Sequence, residues 1–131
     1  MGIGPFLVAR LTADAGVSPI VGNNVFDITS LQDQAMPFIA FEEFDGERYS
    51  AMGADANICD ARVRLHFWNK TVPERDTLIT AVRKSLQRYN GTLANISVDD
   101  VFIVRGGPTL YDPQVRAWHA VRDYRIIYRE S

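Results

Sequence analysis

The segment Ala61–Asn69 alternates without interruption between two kinds of side chain. One parity is apolar and consists of Val63, Leu65 and Phe67. The other parity mixes charge with aromatic rings and consists of Arg62, Arg64, His66 and Trp68. Because successive side chains of a strand point to opposite faces of its sheet, this pattern predicts a strand that buries only one face.

A second strand is predicted at Phe38–Phe44, which is rich in aromatic residues, follows Pro37 and is bounded by Asp45-Gly46. The two strands are expected to pair as an antiparallel hairpin. The connection between them, Asp45–Asp60, is far longer than a tight hairpin needs. We therefore expect the tip of that connection to protrude or to be mobile.

Two helices are predicted. The first covers Pro5–Ala15, because proline suits a first helical position and Gly16 can supply a left-handed stop. The second follows a capping box made by Thr71 and Glu74 and closes at Asn90-Gly91. Its apolar stripe repeats at helical spacing and consists of Leu78, Val82, Leu86 and Tyr89.

Shorter elements fill the remaining chain. They are a tight turn at Ser18–Gly22, a strand at Val25–Ile28, a polar connection at Leu31–Met36, and a strand at Val101–Arg105 that runs into Gly106-Gly107-Pro108.

The closing segment, Gln114–Arg129, predicts a long strand. One parity is mostly apolar and consists of Trp118, Ala120, Tyr124, Ile126 and Tyr128. Arg122 interrupts this parity. Either a bulge shifts the register there, or Arg122 is held at a partner or at a solvent-facing edge.

Together these elements predict an α+β fold, a mostly antiparallel sheet with two helices packed on one face. The length of 131 residues and the hydrophobic fraction of 47% suit one domain, residues 1–131, with a substantial core.

The residue types that catalysis or metal binding requires do not cluster along the sequence. The glycines form no phosphate-binding loop, and Cys59 is the sole cysteine. His66 and His119 stand on separate predicted strands, so a metal site made from them with Asp60 or Asp123 is a remote alternative. We therefore expect no catalytic residues, no metal site and no cofactor, and a protein that is not an enzyme.

The formal charge of -2 and the pI near 5.6 argue against a nucleic-acid-binding protein, since neutralising phosphates requires a surplus of Lys and Arg. No apolar run reaches the length of a membrane span and no basic leader is visible, so we expect a cytosolic origin without a membrane partner. The mixed parity of Ala61–Asn69 leaves two interpretations, a single-strand nucleic-acid platform or a sheet face covered by a helix or a neighbouring subunit. The acidic balance favours the second.

Several segments, taken in order, resemble one protein family. They are Leu11–Gly22 ahead of Asn24-Val25-Phe26, then Met36–Phe41, Asp45–Tyr49, Ala61–Trp68, Ala81–Leu86, Tyr111–Pro113 and Arg122–Ile126. In order and length the chain resembles the tail-completion (tail-terminator) proteins of long-tailed bacteriophages and gene transfer agents. The similarity covers nearly the whole chain.

The resemblance implies a virion structural protein that forms a ring, commonly six-fold, terminates the tail tube and joins it to the head connector. The implied partners are further copies of the chain, the tail tube protein and a head-closure or connector protein. DNA would pass through the lumen without specific binding. The implied location is the tail and neck of the virion, after assembly in the host cytoplasm.

Contacts with neighbours are expected first at two polar turns that core packing explains poorly. They comprise Asp45, Gly46, Glu47, Arg48 and Tyr49, and then Tyr111, Asp112 and Pro113. Charged strand positions come second and comprise Arg62, Arg64 and Arg122. Two alternatives stay open, a small cytosolic dimeric binding or enzymatic domain and a head-closure connector protein.

Overall fold

The computed structural model describes residues 3–28, 36–51, 54–113 and 116–130, and leaves aside the side chains at 45–51, 54–57, 105, 107–108 and 130. Helices and strands occupy most of these ranges. In chain order they are α1 (Gly4–Ala13), α2 (Ser18–Val21), β1 (Val25–Asp27), β2 (Phe38–Ala51), β3 (Ala54–Asn69), α3 (Val72–Leu86), β4 (Gly91–Leu93), β5 (Ile96–Asp112) and β6 (Ala117–Glu130).

The strands form one sheet in the order β1-β2-β3-β6-β5-β4. β1 is parallel to β2, whereas the other neighbouring pairs are antiparallel. The predicted α+β fold with a mostly antiparallel sheet is therefore confirmed. The tight turn expected at Ser18–Gly22 is instead the short helix α2, which ends at Gly22 with a φ of 60°. Most of the connection predicted at Leu31–Met36 lies outside the described residues.

The alternation of β3 places its apolar parity in the core, as predicted. Val63, Leu65 and Phe67 are all 0% exposed. The two long helices cover this face with buried side chains, namely Phe6, Leu7, Leu11, Leu78, Val82 and Leu86. Burial of apolar surface at ~25 cal/mol per Å² holds helices and sheet together. The opposite face, called the open face below, carries none of the described helices.

The β2–β3 hairpin is longer than predicted. β2 continues to Ala51 and β3 begins at Ala54, so the connection expected at Asp45–Asp60 is wrong in its extent, and its tip at 52–53 lies outside the described residues. After a bulge the pairing resumes with Asp45 opposite Arg62. Two paired strands satisfy much of each other's backbone hydrogen bonding even where neither face is apolar. For this reason the polar sequence of this segment did not reveal that the hairpin continues through it.

β5 extends far beyond the predicted strand Val101–Arg105, since it runs from Ile96 to Asp112. The sequence Gly106-Gly107-Pro108, expected to end a strand, lies inside β5 at a register shift before Thr109. Long-range pairing with β6 continues the strand through residues whose local preference is a turn.

β6 confirms the long closing strand. Its pairing with β3 is continuous along the two central strands, from Ile58 opposite Arg129 to Asn69 opposite Trp118. The bulge that the sequence allowed near Arg122 is therefore absent from this pairing, and the register shifts lie between β5 and β6.

The helix ends follow partly predicted chemistry. The Thr71 hydroxyl accepts the Glu74 N–H at 3.3 Å, which confirms the Thr71 half of the predicted capping box, whereas the Glu74 carboxylate accepts the N–H of Lys70 at 3.4 Å. At the end of α1 the stop is Asp14 rather than Gly16, because its carboxylate accepts N–H groups from Gly16 (2.8 Å) and Val17 (3.1 Å).

α3 ends at Leu86, earlier than the predicted Asn90-Gly91. The following residues run along the outer edge of β5, where the Arg88 N–H donates to the Val101 carbonyl at 2.8 Å. A sheet edge with unused hydrogen-bonding groups thus competes successfully with one more helical turn.

Candidate subunit interface

The open face collects the second parity of β3. Arg62 is exposed, whereas Arg64, His66 and Trp68 are half-buried. The alternate residues of β6 lie beside them and include His119, Asp123 and Arg125. Strand alternation therefore brings charged and aromatic side chains of the two central strands onto one surface.

Arginines of the open face are paired with carboxylates on the neighbouring strand. Arg64 donates from Nε to Asp123 Oδ1 (2.9 Å) and from Nη2 to Oδ2 (3.2 Å), a bidentate fork. Asp123 is 6% exposed, and its hydrogen bond is the main cause that raises the pKa of Arg64. Arg125 donates from Nε to Asp60 Oδ1 at 2.9 Å. Guanidiniums that already hold carboxylates bind phosphates poorly, which argues against a nucleic-acid platform.

The two histidines, expected to stand apart, are in contact across the central strands. His66 Nδ1 lies 2.9 Å from His119 Nε2, and His66 Nε2 lies 2.8 Å from Glu42 Oε1. The His119 ring also stacks on Trp68, with centroids 4.2 Å apart. If His66 donates from Nε2 to the carboxylate, its Nδ1 accepts the N–H of His119, so both rings are satisfied while neutral.

The residues weighed as further metal ligands, Asp60 and Asp123, are held by Arg125 and Arg64. Among the described residues, no group of three or more His, Cys, Asp or Glu side chains is arranged to hold a metal ion. The histidine pair is therefore best described as a polar link between strands.

This link predicts a pH dependence of folding stability. Burial lowers the pKa of His119 below its ordinary value of 6.5, His66 lowers it further, and Asp112 opposes both. As the pH falls, His119 therefore takes up a proton more readily in the unfolded chain than in the folded protein. The free energy of unfolding is expected to decrease as the pH drops below about 6.5. His119→Phe, which keeps a ring on Trp68, should flatten this dependence. Urea unfolding from about pH 8 to about pH 5 checks it, and equal slopes for the two proteins would contradict it.

Bulges interrupt β2 and β5 at the same level of the sheet. The extra residue is Phe44 in β2 and Val104 in β5. The β2 bulge follows Glu43, which pairs with Val63, and the β5 bulge follows Ile103, which pairs with Tyr124. Val63 and Tyr124 pair with each other in the two central strands, so both bulges lie at one level. Because a bulge bends its strand and redirects a side chain, two bulges at one level reshape the open face.

Phe44 and Val104 line a groove of about 230 Å³, called the bulge groove below. Its other lining residues are Arg62, Arg64, Asp123 and Tyr124. Phe44 is 44% and Val104 is 49% exposed. The Arg64 guanidinium carbon lies 4.7 Å from the centroid of the Phe44 ring, a cation–π contact. Because its two arginines outnumber its one carboxylate, the groove has a net positive charge and suits an apolar side chain that is accompanied by an acidic group.

Among the predicted contact residues, the segment Asp45–Tyr49, Arg62 and Arg64 all belong to the β2–β3 hairpin. Arg62 and Arg64 line the bulge groove, and the backbone of Asp45 pairs opposite Arg62. The turn expected at Asp45–Tyr49 is wrong, because these residues continue β2. Their side chains lie outside the described part of the chain.

The other predicted contact residues, Tyr111–Pro113 and Arg122, lie elsewhere. Tyr111 and Asp112 still pair within β5, so the turn expected at Tyr111–Pro113 begins only at Pro113. Arg122 is half-buried on the face that the helices cover, and its Nη1 donates to the Val121 carbonyl at 2.7 Å. The structure thus brings Arg62 and Arg64 together and separates them from Arg122.

Phe44 and Val104 were missed as interface candidates. A signal existed in β2, because Glu43 shares the parity of Ile39 and Phe41 and a carboxylate on a core parity indicates a register shift. Around Val104 every neighbour from 101 to 103 is apolar, so no break in alternation marks the bulge.

Comparison with known proteins adds two matches. The family model described as Tail completion protein gp17 matches residues 6–129. Among solved structures, a chain from "Virion of native gene transfer agent (GTA) particle" is similar, with a TM-score of 0.72 and 15% identity over 92% of this chain and 89% of that chain. At this identity the likeness shows a shared fold. No curated protein matches in a sequence search. No helix in the described ranges is long and apolar enough to cross a membrane.

Proposed function

Since the chain belongs to the Tail completion protein gp17 family, and is thus a structural protein of the phage tail and neck rather than an enzyme, we propose that it closes into a ring at the end of the tail tube. The protein is located in the virion. The ring stops tube polymerisation and joins the tube to the head connector.

The proposed ring contains six copies, each contributing one domain, residues 1–131. Its partners are the tail tube protein on one side and the head-closure or connector protein on the other. DNA passes through the lumen without specific binding. The net charge of -2 and the arginine–carboxylate pairs of the open face support a conduit that does not hold phosphates.

The observation that carries this proposal is the family match over residues 6–129, which leaves out only the first two residues of α1 and the last residue of β6 among the described helices and strands. The structure supports it with two separated surfaces, the bulge groove at mid-sheet and the end of β5 at Leu110. A closed head-to-tail ring requires two different surfaces on each subunit.

Assembly without this protein tests the proposal. Because the ring stops polymerisation, particles produced in its absence are expected to leave tail tubes longer than the normal length and heads without tails. Electron microscopy of negatively stained lysates measures both, and adding back the purified protein before tube growth should restore normal tubes.

Normal-length tubes without heads would instead place the protein on the head side, as a head-closure connector. Native mass measurement of the neck complex provides the second readout. Six copies are expected, and a tight dimer would contradict the ring.

A further inference from the structure

We propose that the bulge groove of one copy binds Leu110, near the end of β5, of the next copy in the ring. This inference rests on the proposed function, because it identifies the two surfaces through which successive subunits meet. The occupant of the groove is a second copy of this chain.

The groove has the features of a built site. Two bulges at one level each expose an apolar residue. Bulges are often found next to functional sites, where they redirect a side chain. The volume of about 230 Å³ suits one or two side chains. Two arginines, Arg62 and Arg64, and one carboxylate, Asp123, line it, so the groove has a net positive charge.

The end of β5 supplies a matching group. Leu110 lies on the open face beside His119 and is 57% exposed, which is high for a leucine within a strand. Tyr111 points to the other face, where its ring centroid lies 5.1 Å from that of Trp118. Asp112 shares the parity of Leu110, so the open face carries an apolar side chain next to an acid at this end of β5. Apolar contact and charge therefore match the groove on both counts.

The covering of β5 agrees with this assignment. The segment after α3 covers its outer edge as far as Ile103, whose N–H donates to Gln87 Oε1 at 2.9 Å, and Asn90 Nδ2 donates to the Asp99 carbonyl at 2.9 Å. Beyond Ile103, the described residues include no further element along that edge, and there the exposed apolar side chains begin. Edge segments left in this state are common sites of association.

A chain cannot fill its own groove with this segment. At one level of the sheet, Leu110 of β5 pairs with His119 of β6 and Trp68 of β3 pairs with Phe38 of β2. His119 and Trp68 pair with each other, so the four residues lie in one row across the sheet. Phe44 is further along β2, so it is roughly 20 Å from Leu110, given a strand spacing of ~4.8 Å and a rise of ~3.3 Å per residue. Only another copy can bring the two together, and repeating that contact by rotation closes a ring.

Cysteine cross-linking tests the contact. Phe44→Cys and Leu110→Cys are combined in one chain that also carries Cys59→Ala, which removes the buried native thiol. Assembled particles are oxidised and run on a non-reducing gel. We expect a ladder of cross-linked species that ends at the subunit number of the ring, whereas either single variant should remain monomeric. The intramolecular bridge is excluded, since a disulfide needs Cα atoms within about 7 Å.

The matched control replaces Leu110→Cys with Val72→Cys, an exposed apolar position of α3 (36% exposed), and should give no ladder. A second pair, Val104→Cys with Leu110→Cys, probes the other side of the groove and should reproduce the ladder. Native mass measurement accompanies each gel. If rings form but neither cysteine pair gives a ladder, this contact is wrong and the proposed ring still stands. If no ring is found, the proposed function is wrong as well. Cross-linked dimers alone would indicate a two-fold contact and contradict the inference.

Discussion

Replacing Phe67 with alanine is expected to lower the free energy of unfolding by about 3–5 kcal/mol. Phe67 is 0% exposed at the centre of β3, where it contributes to the core shared with the long helices. The loss combines the transfer of the removed ring with the cavity left behind, which close packing refills only in part. Typical domains have only 5–15 kcal/mol of stability, so this single change approaches the limit of folding.

Phe44→Ala is the matched control, because it removes the same ring from an exposed position. There we expect a loss of about 1 kcal/mol or less, mostly the cation–π contact with Arg64. Urea unfolding of both variants measures the contrast. Equal losses at the two positions would mean that the core is not centred on β3.

Replacing Arg64 with methionine is expected to cost about 2–3 kcal/mol. The guanidinium itself is half-exposed and gains little from its charge alone. Its partner Asp123, however, is 6% exposed, and without Arg64 its carboxylate stays buried with no fork to hold it. The loss of stability therefore comes from the buried Asp123 carboxylate left without its partner rather than from the removal of the arginine charge.

The double variant Arg64→Met with Asp123→Leu separates these causes. Replacing both members of a buried pair with apolar residues of similar size is often neutral, so most of the lost stability is expected to return. Chemical unfolding of the two single variants and the double variant completes a double-mutant cycle. A double variant as unstable as the sum of the singles would show that the ion pair is not the link between them.

The role of Arg64 also changes how the open face is understood. From the sequence, Arg62 and Arg64 are equivalent positions on one parity. In the structure Arg64 supports the fold through Asp123, whereas Arg62 is exposed at the groove. Loss of assembly in an Arg64 variant can therefore reflect folding, so unfolding must be measured alongside assembly for variants of either arginine.

Prediction was most successful where the information is local. The parity of Val63, Leu65 and Phe67 is set by strand geometry, and the cap at Thr71 and Glu74 by the unsatisfied N–H groups of a helix start. Each pattern needs only neighbouring residues, so each was confirmed. The family resemblance was confirmed for a similar reason, because it rests on the order and lengths of such elements.

Prediction failed where pairing with a distant strand outweighed local preference. Gly106-Gly107-Pro108 favours a turn, yet backbone pairing with β6 resumes beyond it and keeps it within β5. Asp45-Gly46 favours a turn in the same way, yet it continues β2 opposite β3. Hydrogen bonds to a partner strand satisfy backbone groups that a turn would leave to water.

Periodicity and capping alone therefore established the layers of this protein, namely which face of the sheet is buried and which helix covers it. The interface candidates required the three-dimensional fold. Phe44 and Val104 are 60 positions apart in the sequence, and they share a groove only because β3 and β6 pair between their strands and two bulges occur at one level. Side-chain periodicity is a property of each strand, whereas register between strands depends on contacts that no local pattern encodes.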